Sequence, residues 1–242
     1  YTLSLHDALP IFIFVYMKRV FILIIFLCSS LYCIGQIDST FVDNKYFDDQ
    51  FYFGFSYNAL LEQPTDFIQN GISGGIGIGY IRDIPLNKRR NVGFGVGFGY
   101  AYNAYIQNMK IEEIAGETKY TIVPSDSYQS NRFGSHSIEV PIEFRWRNST
   151  PTKYNFWRVY AGLKLGYVFI ANSKFKDDSE TIIVKSINEY NKMQYGITLS
   201  VGYSSLNAHI YYGLNDLFKD AYVDSESINM NQLNLGLIFY IL

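Results

Sequence analysis

The chain has 242 residues, with 20 basic and 22 acidic side chains and a formal charge of −2, so it carries no electrostatic footprint for nucleic acid. Its two cysteines, Cys28 and Cys33, both precede residue 36, which leaves the remainder without a disulfide, a thiol nucleophile or a thiolate metal site. Aromatic residues make up 18%, with 22 Tyr and 19 Phe, a share that suits the interfacial belts of a membrane barrel.

Residues 1–16 precede a methionine and read as a non-native extension of the reading frame, outside fold reasoning. Residues 17–35 have the order of a secretory signal peptide: Lys18 and Arg19, then an apolar run over 20–27, then Cys33-Ile34-Gly35 before cleavage at Gln36. The run is short for a membrane anchor. Leu27 and Tyr32 stand just before the two cysteines, where lipidation requires a small residue, so no lipid is expected. Residues 36–50, with Asp38, Asp43, Asp48 and Asp49, read as a polar periplasmic leader.

From Phe51 onward the chain alternates apolar and polar or small residues in eight stretches: 51–60, 71–82, 91–106, 136–147, 156–171, 190–203, 206–214 and 231–242. The fourth is clearest. Its even positions are His136, Ile138, Val140, Ile142, Phe144 and Trp146; its odd positions are Ser137, Glu139, Pro141, Glu143, Arg145 and Arg147. A period of two over about ten residues marks a strand with lipid on one face and a polar lumen on the other. The expected fold is therefore all-β, an eight-stranded antiparallel transmembrane β-barrel occupying 51–242 as one domain. Connections alternate in length: 61–70, 107–135, 172–189 and 215–230 are long, whereas 83–90, 148–155 and 204–205 are shorter. Long loops outside and short turns in the periplasm produce that rhythm, and an even strand number returns both ends to the periplasm.

The second and third stretches contain GIGIGY and GFGVGFGY. A phosphate loop would need a tight turn and a following helix, and neither pattern supplies one. The glycines instead face the lumen and leave room for large side chains of the fourth and fifth strands. Pro141 removes a ladder donor within the fourth strand, and a bulge or a lumen water is expected there.

Six charged residues share the expected lumen: Glu139, Glu143, Arg145 and Arg147 on the fourth strand, Arg158 and Lys164 on the fifth. Eight strands leave just enough room for side chains, so these should pair into a structural plug rather than line an ion pathway or an acid/base site. A register in which opposite residues of the two strands sum to 303 would set Glu139 against Lys164, Trp146 against Trp157 and Arg145 against Arg158; sums of 301 or 305 avoid that like-charge pair but give up Glu139 against Lys164. His136 has Ser135 and Ser137 beside it, but neighbours on a strand point to opposite faces, which argues for a girdle histidine over a Ser/His hydrolase. His209 is expected in the lumen as a hydrogen-bonded filler. No His/Asp/Glu set has metal spacing, and neither catalytic residues nor a cofactor is expected.

The stretches SIEVPIEFRWR (137–147), WRVYAGLKLGYVF (157–169), QYGITLSVGY (194–203), LNDLFKD (214–220) and the final LNLGLIFYIL resemble, in this order, the PorT family of small outer-membrane barrels. The resemblance covers the chain from about Phe51 and implies a location in the Gram-negative outer membrane. It also implies a tie to type IX secretion, with a non-enzymatic role in secretion or envelope organisation. A barrel enzyme acting on lipid A or peptides is the alternative. Expected partners are outer-membrane lipid and lipopolysaccharide, and secretion-machinery or other envelope proteins.

N-terminal sequencing of protein from membrane fractions should find Gln36 as the first residue, free of lipid. A diacylated Cys33 or a retained signal sequence would overturn the export reading.

Overall fold

A computed structural model describes residues 49–148 and 156–241. The extension, the signal peptide, most of the leader and the turn at 149–155 lie outside the described residues. The described chain is all-β, and eight long strands form the barrel: β1 (Gln50–Leu61), β2 (Gly74–Pro85), β3 (Val92–Ile106), β6 (Ser130–Arg147), β7 (Trp157–Lys176), β9 (Met193–Tyr203), β10 (Leu206–Gly213) and β13 (Asn231–Ile241). Short strands lie in the long connections: β4 (Met109–Ile114), β5 (Glu117–Ile122), β8 (Thr181–Val184), β11 (Tyr222–Val223) and β12 (Glu226–Ser227).

The barrel order is β6-β3-β2-β1-β13-β10-β9-β7, every pair antiparallel, and β6 pairs with β7 to close the cylinder. The first and last strands meet along their full length, from Phe51 opposite Ile241 to Leu61 opposite Asn231. Closure answers a solvent requirement, because lipid offers no hydrogen bonds and an open edge would strand backbone groups.

Side-chain alternation sorts each strand. Phe51, Phe53, Phe55 and Tyr57 are exposed on β1 while Tyr52, Asn58 and Leu60 are buried. Ile197, Leu199 and Val201 are exposed on β9 while Thr198 and Ser200 are buried. Exposed large apolar side chains surround the barrel, which fits hydrocarbon as the outer solvent. On β7 the outward row runs from Trp157 to Phe169, about twelve residues or roughly 30 Å of height at the usual strand rise and tilt. Trp146 and Trp157 lie at the end that carries the short connections, and Tyr57, Tyr102 and Phe169 at the end that carries the long ones.

Several spans run further than the alternation alone suggested. β6 begins at Ser130 and β7 continues to Lys176, and β8 pairs with that continuation. The expected loop 107–135 contains the β4–β5 hairpin, and the expected loop 215–230 contains the β11–β12 hairpin. The two hairpins join in a four-stranded sheet, order β12-β11-β5-β4, through a parallel contact of Val223 with Tyr120. Tyr190, taken as the start of the sixth span, instead forms an isolated bridge with Phe218.

Two irregularities adjust the ladder. Pro141 carries no bulge: it stays in register opposite Lys164 on β7, and on its other side the β3–β6 ladder lapses between Val96–Ile142 and Gly99–Glu139. The missing donor thus falls where no pairing is made. The bulge lies on β7 instead, where His136 faces Ile170, Ser137 faces Val168, and Phe169 is left over. It reverses the phase of β7: below it the even residues Arg158, Tyr160 and Val168 are buried, and above it the odd residues Ala171, Ser173 and Phe175 are.

Ile142 and Leu163 are directly opposite each other on the lipid face, midway between the aromatic ends. Arginine at either position should destabilise the barrel by about 2–4 kcal/mol. Urea titration of folding into lipid vesicles measures this, and wild-type stability in both variants would refute the facing of these strands.

Candidate functional site

The interior is filled in layers. At the short-turn end, Arg145 and Arg147 are fully buried and converge on Asp83, a residue of β2. Arg147 Nη2 donates to Asp83 Oδ2 at 2.7 Å, and Arg145 Nη1 lies 3.6 Å from Asp83 Oδ1. Arg145 Nε also donates to Glu143 at 3.0 Å, and Arg147 Nε to the Arg90 carbonyl at 2.7 Å. The Arg145 guanidinium lies over the Tyr160 ring at 4.5 Å and 5.7 Å from that of Tyr240. Arg158 is buried against the Phe156 ring at 4.6 Å, with Tyr240 at 5.9 Å. Rings take part of the role of counter-ions here because their faces attract a desolvated cation.

Above this layer Lys164 Nζ lies 3.1 Å from Glu139 and 4.3 Å from the centre of the Tyr211 ring. Amides fill the same level: Asn58 donates to Asn103 at 2.9 Å, and Ser200 shares a 2.7 Å hydrogen bond with His209 Nδ1. A cavity of about 60 Å³ remains among Tyr52, Glu139, Lys164, His209 and Tyr211. That is room for a few waters and too little for a substrate.

Small residues make these layers possible. A Cβ on Gly95 would fall 2.5 Å from Arg145 Nε, and one on Gly79 would fall 2.6 Å from the Tyr52 ring. The glycines of β2 and β3 therefore accommodate Tyr52 of β1 as well as a residue of the fourth barrel strand.

The structure brings the six charged residues named from the sequence onto the interior face, but in another register. Opposite residues of β6 and β7 sum to 305 across the charged region, so Glu139 faces Gly166, Lys164 faces Pro141, Trp146 faces Val159 and Arg147 faces Arg158. The 303 register is thereby corrected. Glu139 and Lys164 still meet, because their side chains reach diagonally across one rung. The residue missed was Asp83. It opens the expected connection 83–90, yet it continues the inward odd series of Gly75, Gly77, Gly79 and Ile81, and β2 runs on to Pro85. His136 lies on the outer face, where its Nδ1 shares a 2.7 Å hydrogen bond with the Tyr100 hydroxyl. Ser135 and Ser137 are buried on the opposite face.

At the outer end the interior becomes apolar. Leu60, Tyr105, Phe133, Val168 and Ala171 of the barrel wall pack with Met109, Ile111, Tyr120, Leu217, Phe218 and Met230 of the long connections in one core. Phe133 stacks on Tyr105 at 4.9 Å and meets Phe218 edge-on at 5.4 Å. Lys110 pairs with Glu112 of its own strand at 2.9 Å and reaches Glu180, in the turn before β8, at 3.5 Å, and the Glu112 contact holds its ammonium above the usual range. Asp177 accepts from the amides of Glu180 and Ser179 and from the Ser179 hydroxyl, which holds its carboxyl below the usual range and fixes the turn before β8.

A closed membrane barrel with an ion-paired lumen under a folded apolar cap defines the class: a small integral outer-membrane protein. The sequence profile of the outer membrane protein beta-barrel domain matches residues 35–219, and the chain belongs to that family. No curated protein matches it. Among solved structures it is similar to Ail, the attachment invasion locus protein of Yersinia pestis, at 11% identity over 80% of this chain and 97% of that one, with a TM-score of 0.33. A mutant of the Rh. blastica porin is similar at 8% identity over 81% of this chain and all of that one, with a TM-score of 0.21. Neither superposition is close enough to transfer a role.

Asp83 is the anion shared by two buried arginines. Asp83→Ala should cost about 3–5 kcal/mol by stranding them, more than replacing Asp83, Arg145 and Arg147 together with apolar residues of matched volume. Unfolding of the single and triple variants in vesicles gives the comparison, and equal stabilities would show that the pairing carries no weight.

Proposed function

We propose that the protein is a non-conducting, non-catalytic barrel that serves protein secretion or envelope organisation through its folded extracellular cap. The observation that carries this reading is the double filling of the lumen, by buried ion pairs at one end and by an apolar core at the other. An eight-stranded wall leaves no aqueous path once those side chains are in place. The ordering of the long connections into a sheet with its own core supports a presented surface, since loops that merely join strands need no core. The resemblance to the PorT family favours secretion as the process served.

The enzyme reading has one observation behind it, the Ser200–His209 hydrogen bond. Ser200 is only 1% exposed and the adjoining cavity holds no more than a few waters, so a substrate has no approach. A second copy of that chemistry at the outer rim is disfavoured too, because His136 and its neighbouring serines face opposite ways.

In planar bilayers the purified protein should give no open-channel steps. Deleting its gene should raise the ratio of retained to secreted cargo or weaken the envelope against detergent. A barrel in which residues 109–122 are replaced by a short turn should fail to restore either property. Porin-like conductance, or full rescue by the trimmed barrel, would overturn the proposal.

A further inference from the structure

Above the outer aromatic ring, the lipid-side face of β6 and β7 and the bend after β8 gather three cations. Arg132 on β6 is directly opposite Lys174 on β7, and Lys174 is opposite Ile183 on β8. Lys185 follows at the bend just past β8 and lines the same groove as Ile183. Together with Tyr102 and His136 they line one groove of about 310 Å³. Like charges set directly opposite repel, so the row is unfavourable as it stands. Among the described residues none of the three forms an ion pair, and nearby acids are engaged elsewhere: Glu112 and Glu180 on Lys110, Glu189 on Tyr120, Asp178 on Gln129.

The bulge on β7 is what creates the row. Were Phe169 paired in regular alternation instead of bulged, the even positions of β7 would continue inward and Lys174 would enter the apolar core. With it, Lys174 turns outward beside Arg132. The height is also informative. The His136 ring lies 4.8 Å from Tyr102 and 6.2 Å from Phe169, which places it in the outer aromatic ring. Arg132 is four residues further along β6, on the order of 10 Å higher at the usual rise and tilt. That is head-group depth, and the exposed Ile183 beside the cations adds an apolar surface at the same place.

We infer that this groove binds the phosphorylated head group of an outer-leaflet glycolipid, with phosphate oxygens bridging Arg132, Lys174 and Lys185 and the first acyl carbons resting on Ile183. Arginine presents a planar fork to phosphate and the lysines add point charges, so the three together suit a phosphate monoester or diester. Free phosphate shares that chemistry but not the apolar contact. The inference rests on the barrel's location in the outer membrane and is independent of a role in secretion.

The test uses the full chain refolded in phosphatidylcholine vesicles that contain bisphosphorylated lipid A, the same lipid A stripped of phosphate, or inorganic phosphate alone, with bound lipid counted by native mass spectrometry after detergent extraction. Wild type should retain phosphorylated lipid A in preference to the stripped form. Each cation near a membrane surface contributes about fivefold. The combined variant Arg132→Gln, Lys174→Gln, Lys185→Gln should therefore lose on the order of a hundredfold, and Lys88→Gln with Arg89→Gln at the opposite end should lose nothing. Heat-dependent gel mobility reports whether each barrel is folded, and if the triple variant does not fold, the three single variants should each lose about fivefold. Undiminished binding by the folded variants, equal retention of stripped lipid A, equal loss in the Lys88/Arg89 control, or inorganic phosphate displacing lipid A at matched phosphate concentration would each overturn the proposal.

Discussion

Everything in this molecule follows from the hydrogen-bonding demand of a backbone placed in hydrocarbon. A strand in lipid cannot leave an edge unpaired, so eight strands close on themselves through β1–β13 and β6–β7. Closure at that strand number then dictates the interior, because the cylinder is too narrow for a water column and too polar on its inner face to stay empty. The side chains that point inward must satisfy one another. Asp83, Glu143, Arg145 and Arg147 do so with ion pairs, and Tyr160, Tyr240 and Phe156 do so with ring faces.

The same demand explains the uneven distribution of residue size. β2 and β3 are rich in glycine where Tyr52 and Arg145 cross the lumen, so the volume removed from one wall is filled from another. Volume and charge are thus solved together: Arg145 reaches Asp83 over the intervening β3 because Gly95 leaves its path open. Toward the outer end the solution changes from ionic to apolar, and the long connections lend Met109, Ile111, Leu217 and Met230 to a core that the barrel wall alone could not complete.

The cap has a second consequence for the membrane face. Continuing β6 and β7 beyond the aromatic ring carries strand geometry out of the hydrocarbon and into the head-group layer. The bulge at Phe169 decides which side chains that continued outer face offers. Bulged pairing at Phe169, where regular pairing would invert the faces, therefore serves both surfaces, with Ser173 and Phe175 inward in the core and Lys174 outward.

The faces of the strands were legible in the sequence because a period of two is a local property: Ile138, Ile142 and Phe144 declare one side and Glu139, Glu143 and Arg145 the other without reference to any neighbour. Strand number, class and the antiparallel closed fold follow from the same local pattern. What the sequence did not disclose were the non-local choices. The β6–β7 register sums to 305 and not 303, with Glu139 and Lys164 still paired diagonally within it; the alternation of each strand is the same in both registers and cannot choose between them. Asp83 looked like a turn residue because a charge next to Arg82 and before Pro85 resembles a loop until an arginine from β6 is seen to meet it. The cap sheet joins residues about a hundred positions apart through Tyr120 and Val223, a contact that neither hairpin's own pattern contains. Local alternation determined which way each side chain points, and only the closed tertiary structure, through volume and charge balance inside a narrow cylinder, decided what it meets.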